Sequence, residues 1–130
     1  MKTVTINNVS IGQGLPLVFI AGPCVIESYE GCMRLAEKLK TLFLAKGAPF
    51  IFKASYDKAN RTSVKSYRGP GIEDGLKILA EIKRQLGVPI LSDVHREEDM
   101  ATAAETLDII QIPAFLCRQT DLILAAAKTG

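Results

Sequence analysis

Tryptophan is absent from the 130 residues, only one histidine is present, and the three cysteines form no C-x-x-C pair. An odd number of widely spaced cysteines argues against a disulfide framework. Long hydrophobic runs are also lacking, because polar residues, glycines and prolines interrupt the uncharged stretch from Thr3 to Ile26. A membrane-spanning helix needs about 20 mostly apolar residues. We therefore expect a cytoplasmic protein without a signal peptide and without a membrane partner.

A strong excess of charge is missing as well. Sixteen lysines and arginines face fourteen acidic residues, for a net charge of +2, so a nucleic-acid partner is not expected. With 48% hydrophobic and 23% charged residues, the composition predicts a single α/β domain over residues 1–130. The positive charge is concentrated between Lys53 and Pro70, which suits an anionic ligand with several oxygens or, alternatively, a solvated basic loop.

Patterns along the chain predict a β-hairpin followed by repeated βα units. Two β-prone runs flank Asn7-Asn8, which predicts a hairpin over residues 1–12. Residues 17–130 then alternate four short apolar runs, typical of strands buried on both faces, with amphipathic helical patterns. Predicted helices are one capped by Ser28 and stopped by Gly47, one over Ile72–Leu86, one from Glu97 through Leu107, and one capped by Thr120 or Asp121 that runs to Lys128.

Four βα units in succession fit either an open doubly wound sheet or half of a (β/α)8 barrel. Polar candidates follow each strand in turn: Cys24 follows the first strand, Lys53 and Ser55 the second, Asp93 the third and Gln111 the fourth. In a barrel every βα loop faces one centre, whereas an open sheet has a single switch point. This distribution favours the barrel, of which these units are about half, since a complete one takes about 250 residues.

Taken singly, the candidate residues leave alternatives open. Cys24 could be a metal ligand, a nucleophile or a small buried side chain. For His95 a hydrogen-bonded structural role is favoured over acid–base chemistry, and for Asp93 hydroxyl binding is favoured over general acid–base work. Cys32 and Cys117 are expected in the core. No nucleotide-binding glycine motif follows a strand.

Six segments together resemble the 3-deoxy-D-manno-octulosonate 8-phosphate synthase family. The resemblance runs from about Val18 to the last residue and rests on Phe19–Ser28, Lys53–Ser55, Lys58–Ser63, Tyr67–Gly71, Asp93–His95 and Gln111–Leu122. It implies a (β/α)8 barrel, present here in its N-terminal half. The implied reaction condenses phosphoenolpyruvate with D-arabinose 5-phosphate and water, releases phosphate, and serves lipopolysaccharide synthesis. The implied assembly is a homotetramer.

The same resemblance assigns roles to residues in the basic segment and on the second strand. Lys53, Ser55 and Lys58 would hold the carboxylate and phosphate of phosphoenolpyruvate. Arg61 and Ser63 would hold the pentose phosphate across a subunit interface.

Further roles carry over to three more positions. Asn60 and Asp93 would bind pentose hydroxyls, and Gln111 would lie beside phosphoenolpyruvate. Lys58, Asn60 and Asp93 are the residues expected to be catalytic.

Cys24 implies the metal-dependent class of this family. Its thiolate would bind a divalent ion of the Mn, Zn, Fe or Co class together with a His, a Glu and an Asp, all outside this chain. The 130 residues alone are then expected to be incomplete for catalysis. Two alternatives remain. One is the related seven-carbon synthase that uses erythrose 4-phosphate, against which Asn60 argues because that enzyme has Lys-Pro-Arg here. The other is an inactive half-barrel that binds phosphate.

Overall fold

The computed structural model describes residues 2–130, which form six strands, four α-helices and one 3-10 turn. The strands are β1 Val4–Ile6, β2 Val9–Ile11, β3 Phe19–Ala21, β4 Phe50–Lys53, β5 Ile90–Asp93 and β6 Ile109–Gln111. The helices are α1 Tyr29–Ala45, α2 Ile72–Leu86, α3 Met100–Ala104 and α4 Thr120–Ala127, and the 3-10 turn is Ala114–Leu116. None of the helices between residues 2 and 130 is long and apolar enough to cross a bilayer.

Strands β3 to β6 form one parallel sheet in which the spatial order equals the chain order. A doubly wound sheet reverses its strand order at a switch point, and these four strands show no reversal. Each βα unit is added beside the preceding one, as in a (β/α)8 barrel. The chain therefore forms part of such a barrel, as predicted. That residues 1–130 make up one domain stays a prediction.

The hairpin β1–β2 is antiparallel, with Ile6 opposite Val9. Asn7 lies at its turn with a φ of 50°, a left-handed conformation that asparagine tolerates better than most residues. The Asn7 side chain donates a hydrogen bond to Asp108 Oδ1 at 3.1 Å. Val9, only 3% exposed, packs against Ile51 and Leu91, so the hairpin covers one end of the sheet.

Local signals define the two long helices. Ser28 caps α1 by accepting a hydrogen bond from the Gly31 amide at 3.1 Å, as predicted. Helix α2 ends at Gly87, whose φ of 63° is the left-handed conformation that commonly terminates helices. Leu79 and Ile82 of α2 are fully buried against the sheet, which fixes the outer layer of the fold.

Alternation along the strands separates the two faces of the sheet. On the outer face, Phe50 and Phe52 of β4 and Ile90 of β5 pack with the helices in the main core. On the inner face, Ile51 and Leu91 contact the hairpin. The next inward positions are the polar residues at the carboxyl ends of the strands.

Two sequence predictions are wrong. The apolar run at β3 was expected to be buried on both faces, yet Phe19 is 40% and Ile20 is 55% exposed, because β3 is an edge strand with one neighbour in the described sheet. Helix α3 was expected to run through Leu107 but ends at Ala104. The chain turns there because the Asp108 amide is already bonded to the Ile90 carbonyl, which begins the approach to β6.

Candidate active site

A cavity of about 500 Å³ lies at the carboxyl ends of the four parallel strands. It brings together side chains from β4, β5 and β6 and from the loops that follow all four strands. Seven of the predicted site residues line it: Cys24, Lys53, Ser55, Lys58, Asn60, Asp93 and Gln111. The prediction that successive strands contribute to one centre is therefore confirmed in its geometry.

The backbones of β3 and β4 approach each other closely at the carboxyl edge of the sheet. A Cβ atom on Gly22 would collide with the carbonyl oxygen of Lys53, so only glycine allows the end of β3 to lie this close to β4. Cys24 follows two residues later and its side chain is exposed in the cavity. At the far side, Asp93 of β5 pairs in register with Gln111 of β6. Both residues line the cavity.

A continuous hydrogen-bonded chain crosses the floor of the cavity. Lys53 Nζ donates to Ser55 Oγ at 2.9 Å, and the Ser55 hydroxyl donates to Asp93 Oδ1. Lys53 Nζ lies 3.7 Å from the same carboxylate oxygen. His95 Nε2 lies 3.2 Å from the other oxygen, Asp93 Oδ2. Ser55 and His95 lie two positions beyond the last residues of β4 and β5. Side chains two apart in an extended chain point to one side, so Ser55 shares this face with Lys53, and His95 shares it with Asp93.

These contacts keep Asp93 ionised. Burial opposes the charge of Asp93, but hydrogen bonds from His95 and Ser55 and the charge of Lys53 outweigh it and lower the pKa of the carboxyl group below its ordinary value. An ionised carboxylate can only accept hydrogen bonds. Asp93 is thus an acceptor at neutral pH, which agrees with hydroxyl binding rather than general acid work.

His95 is the site residue for which the sequence favoured a structural role. The expected hydrogen bond exists, but the ring also lines the cavity. Its Nδ1 atom is buried and has no hydrogen-bond partner among residues 2–130. The signal that could have found it is the spacing of Asp93 and His95, two positions apart at a strand end.

A second set of cavity residues lies within the Gln111–Leu122 segment of the resemblance, which gave these residues no individual role. The segment after β6 forms the 3-10 turn and closes one side of the cavity with Pro113, Ala114, Phe115 and Leu116. Phe115 is 79% exposed. Cys117, which was expected in the core, is also exposed because it follows this turn.

Arg61 and Ser63 do not line the cavity. The Arg61 guanidinium donates to the carbonyl oxygens of Ala59 and Val64, at 3.2 and 3.5 Å. Ser63 is exposed, and its hydroxyl accepts from the Lys65 amide at 3.2 Å. Their predicted contact with a phosphate in a second subunit stays a prediction.

Cys24 was also tested as a metal ligand against the donors around it. From residue 2 to residue 130, no three His, Cys, Asp or Glu side chains are grouped closely enough to hold a metal ion. A tightly held ion of the expected class needs three or four such ligands. Cys24 offers one exposed thiol at the cavity, and the described residues do not complete a ligand set around it. Cys32 is a different kind of thiol, because burial raises its pKa to about 11.

Comparison with known proteins places this geometry in a family. The profile of the DAHP synthetase I family matches residues 1–130. The chain belongs to the DAHP synthetase I family. One similar curated protein, from Geotalea uraniireducens, is named 2-dehydro-3-deoxyphosphooctonate aldolase. It is 61% identical to this chain over all of the chain and 48% of its own length. The same name is carried by a Desulfosudis oleivorans protein, 62% identical over 98% of this chain and 46% of the relative.

Within the DAHP synthetase I family, the chain therefore lies close to proteins of that name, as the sequence segments indicated. It spans about half the length of the curated relatives it matches.

Proposed function

We propose that the protein condenses phosphoenolpyruvate with D-arabinose 5-phosphate and water to give 3-deoxy-D-manno-octulosonate 8-phosphate and phosphate. The observation that carries the proposal is the cavity itself. Two lysines, Lys53 and Lys58, lie in one cavity with the amide of Asn60 and the ionised carboxylate of Asp93. This combination suits a pair of substrates that present phosphate, carboxylate and hydroxyl groups together. The product would enter lipopolysaccharide synthesis in the cytoplasm.

The cations and the hydroxyl near β4 are assigned to phosphoenolpyruvate. Lys53 is already oriented by Ser55 Oγ at 2.9 Å, so its ammonium group needs little reorganisation to bind a carboxylate or a phosphate. Lys58 supplies a second positive charge, and Gln111 lines the same cavity. These groups hold the enol in place while its carbon attacks the aldehyde of the pentose, and water then adds to the cationic centre before phosphate leaves.

The pentose is assigned to the side of the cavity near Asn60 and Asp93. Asn60 has both donor and acceptor atoms, and ionised Asp93 accepts hydrogen bonds from hydroxyls. Asn60 favours the five-carbon sugar over erythrose 4-phosphate, since it offers one more hydroxyl to bind. The position of Arg61 and Ser63 outside the cavity supports their assignment to the pentose phosphate of a neighbouring subunit in a homotetramer.

We also propose that Cys24 is one ligand of a divalent ion of the Mn, Zn, Fe or Co class. When bound, such an ion would orient the aldehyde or the water as a Lewis acid. The Cys24 thiolate is the only ligand of this proposed metal site that is assigned to the described residues. Loss of activity with a chelator and recovery with one of these ions would support the assignment, whereas activity insensitive to a chelator would exclude it.

The deciding experiment measures phosphate release by the polypeptide that the native gene encodes, purified with a divalent metal. Phosphoenolpyruvate is offered with D-arabinose 5-phosphate, with erythrose 4-phosphate, or alone. Rapid release with the five-carbon sugar, and little with the other two, is expected. Faster turnover of erythrose 4-phosphate would establish the seven-carbon reaction instead. Binding of phosphoenolpyruvate without release in any mixture would favour an inactive phosphate-binding protein.

A further inference from the structure

The loop between β4 and α2 carries five of the predicted binding residues but contains no regular secondary structure. We call residues 57–68 of this connection the binding loop. Lys58 and Asn60 line the cavity from it, and Arg61 and Ser63 lie near its tip. Because no helix or strand fixes its conformation, the position of these side chains depends on whatever holds the two ends of the loop together.

A forked ion pair closes the base of the binding loop. Arg68 Nε donates to Asp57 Oδ1 at 2.6 Å, and Arg68 Nη2 donates to Asp57 Oδ2 at 3.0 Å. The same two ends are joined through the backbone, since the Lys58 amide donates to the Arg68 carbonyl at 2.6 Å. Two parallel N–H···O bonds define both distance and orientation. The residue immediately after Asp57 is Lys58, so the pair lies next to a cavity residue.

The tip of the binding loop has few other ties. Within the described residues, its hydrogen bonds are internal, from Arg61 to Ala59 and Val64 and from the Ser66 amide to the Ser63 carbonyl. The Val64 side chain is 90% exposed. The tip is therefore held from its base rather than by packing on the barrel.

An unfilled cavity next to the Asp57–Arg68 ion pair also indicates that packing does not hold the base of the binding loop. A cavity of about 300 Å³ is lined by Asp57 and Arg68, with Gly69 and Gly71 on one side and Arg96 and Asp99 on the other. Side chains do not fill this space, so apolar packing does not substitute for the pair. Removing the fork would leave two backbone bonds to close the loop, from the Lys58 amide to the Arg68 carbonyl and from the Gly71 amide to the Tyr56 carbonyl.

We propose that Asp57 and Arg68 are positioning residues, a clasp that holds Lys58 and Asn60 in place for the substrates. This inference rests on the proposed function. The clasp touches no substrate itself; it reduces the conformational freedom that the loop would lose when substrates bind. Its loss weakens substrate binding more than it slows the chemical step.

The first test needs no activity and uses hydrogen–deuterium exchange of the full polypeptide from the native gene. Arg68→Gln and Asp57→Asn remove the fork. Arg84→Gln is the matched control, because Arg84 makes an equally forked pair with Glu81 inside α2, at 2.9 and 2.6 Å. Exchange in peptides covering residues 57–68 is expected to rise several-fold in the first two variants and not in the control. Unchanged exchange would overturn the clasp.

The second test measures steady-state kinetics of phosphate release. Arg68→Gln is expected to raise KM for the substrates about fivefold, the effect of one exposed ion pair, with kcat changed less than twofold. The charge-reversed double variant, Asp57→Arg with Arg68→Asp, is expected to recover most of the KM change, and Arg84→Gln to behave as wild type. Increased exchange with unchanged KM would overturn the positioning role, as would a fall in kcat alone.

The two proposals fail in different ways. If the unaltered protein releases no phosphate with either sugar, the proposed function fails. In that case faster exchange of residues 57–68 in Arg68→Gln still supports the clasp as the element that orders the loop, and unchanged exchange overturns it.

Discussion

At the amino end of the sheet, Ile51 and Leu91 meet Val9 of the hairpin in a small apolar cluster. Two residues further along the same two strands, the inward positions are Lys53 and Asp93. One strand thus serves packing at one end and chemistry at the other, and the boundary between the two is a single step of the pleat. Substitutions at the apolar end should therefore change stability, and substitutions at the polar end should change activity, even though both ends lie on the inner face of the same strands.

Replacing Lys53 by methionine should have the largest effect on activity. The variant loses the ammonium that bonds Ser55 and lies 3.7 Å from Asp93, so kcat/KM is expected to fall about 10³-fold. Phosphate release at limiting phosphoenolpyruvate measures this, and urea unfolding of the same variant checks that it remains folded. A fall in kcat/KM of less than tenfold would show that activity at the carboxyl ends of the strands does not depend on the charge of Lys53.

Replacing Ile51 by alanine tests the opposite end. Ile51 is fully buried, so the change should lower the free energy of unfolding by about 3 kcal/mol through lost burial and a cavity. The kcat/KM of the folded protein should stay within about twofold of wild type. Urea unfolding and phosphate release are measured together, with Ile51→Val as the milder control at about 1 kcal/mol. Activity lost in parallel with stability would contradict the separation.

Acid should reduce the stability that ionised Asp93 contributes at the carboxyl ends of the strands. The folded-state pKa of Asp93 is lowered from its ordinary 3.8, so its ionised form stabilises the fold above that value, and this contribution is lost as the pH falls towards the folded-state pKa. The stability gap between wild type and Asp93→Asn should therefore shrink between pH 7 and pH 3 in urea unfolding. The control, Asp74→Asn, changes an exposed carboxylate of α2. If the difference in free energy of unfolding between wild type and Asp93→Asn did not change with pH, the lowered pKa of Asp93 would be contradicted.

The smallest effect is expected at the hairpin turn. Asn7→Ala keeps a residue with a Cβ at a φ of 50° and should cost about 1 kcal/mol. Asn7→Gly relieves the backbone and loses only the exposed bond to Asp108 at 3.1 Å, about 0.5 kcal/mol. Urea unfolding separates the two, and neither should change kcat/KM. Equal costs for the two variants would show that the side-chain bond, which both variants lose, and not the backbone conformation holds the turn.

Sequence patterns could predict the elements and the cavity because both depend on local periodicity. Short apolar runs ended by Lys53, Asp93 and Gln111 imply strands whose polar ends meet at one edge. The Ser28 cap and the Gly87 stop are equally local signals. Five of the seven cavity residues were expected there from their places at the strand ends, whereas Lys58 and Asn60 were expected from the family resemblance.

Features that depend on neighbours could not be predicted in this way. The exposure of Ile20 follows from which strand lies at the edge, and composition carries no information about that. The pairing of Asp57 with Arg68 joins residues eleven positions apart through an irregular loop, which has no periodic signature. For His95 a structural role was favoured because no paired nucleophile was evident, whereas the structure places its ring in the cavity in contact with Asp93.

The equality of spatial and chain order in the sheet also bears on how the molecule assembles during synthesis. Each parallel strand finds its partner already made, so β4 can dock on β3 and β5 on β4 as the polypeptide emerges, with short sequence separations and small loop-closure cost. The hairpin is the exception. It is translated before the four parallel strands, but Val9 gains its buried contact with Leu91 only after more than eighty further residues have left the ribosome. An element made before the sheet is thus among the last to reach its final environment.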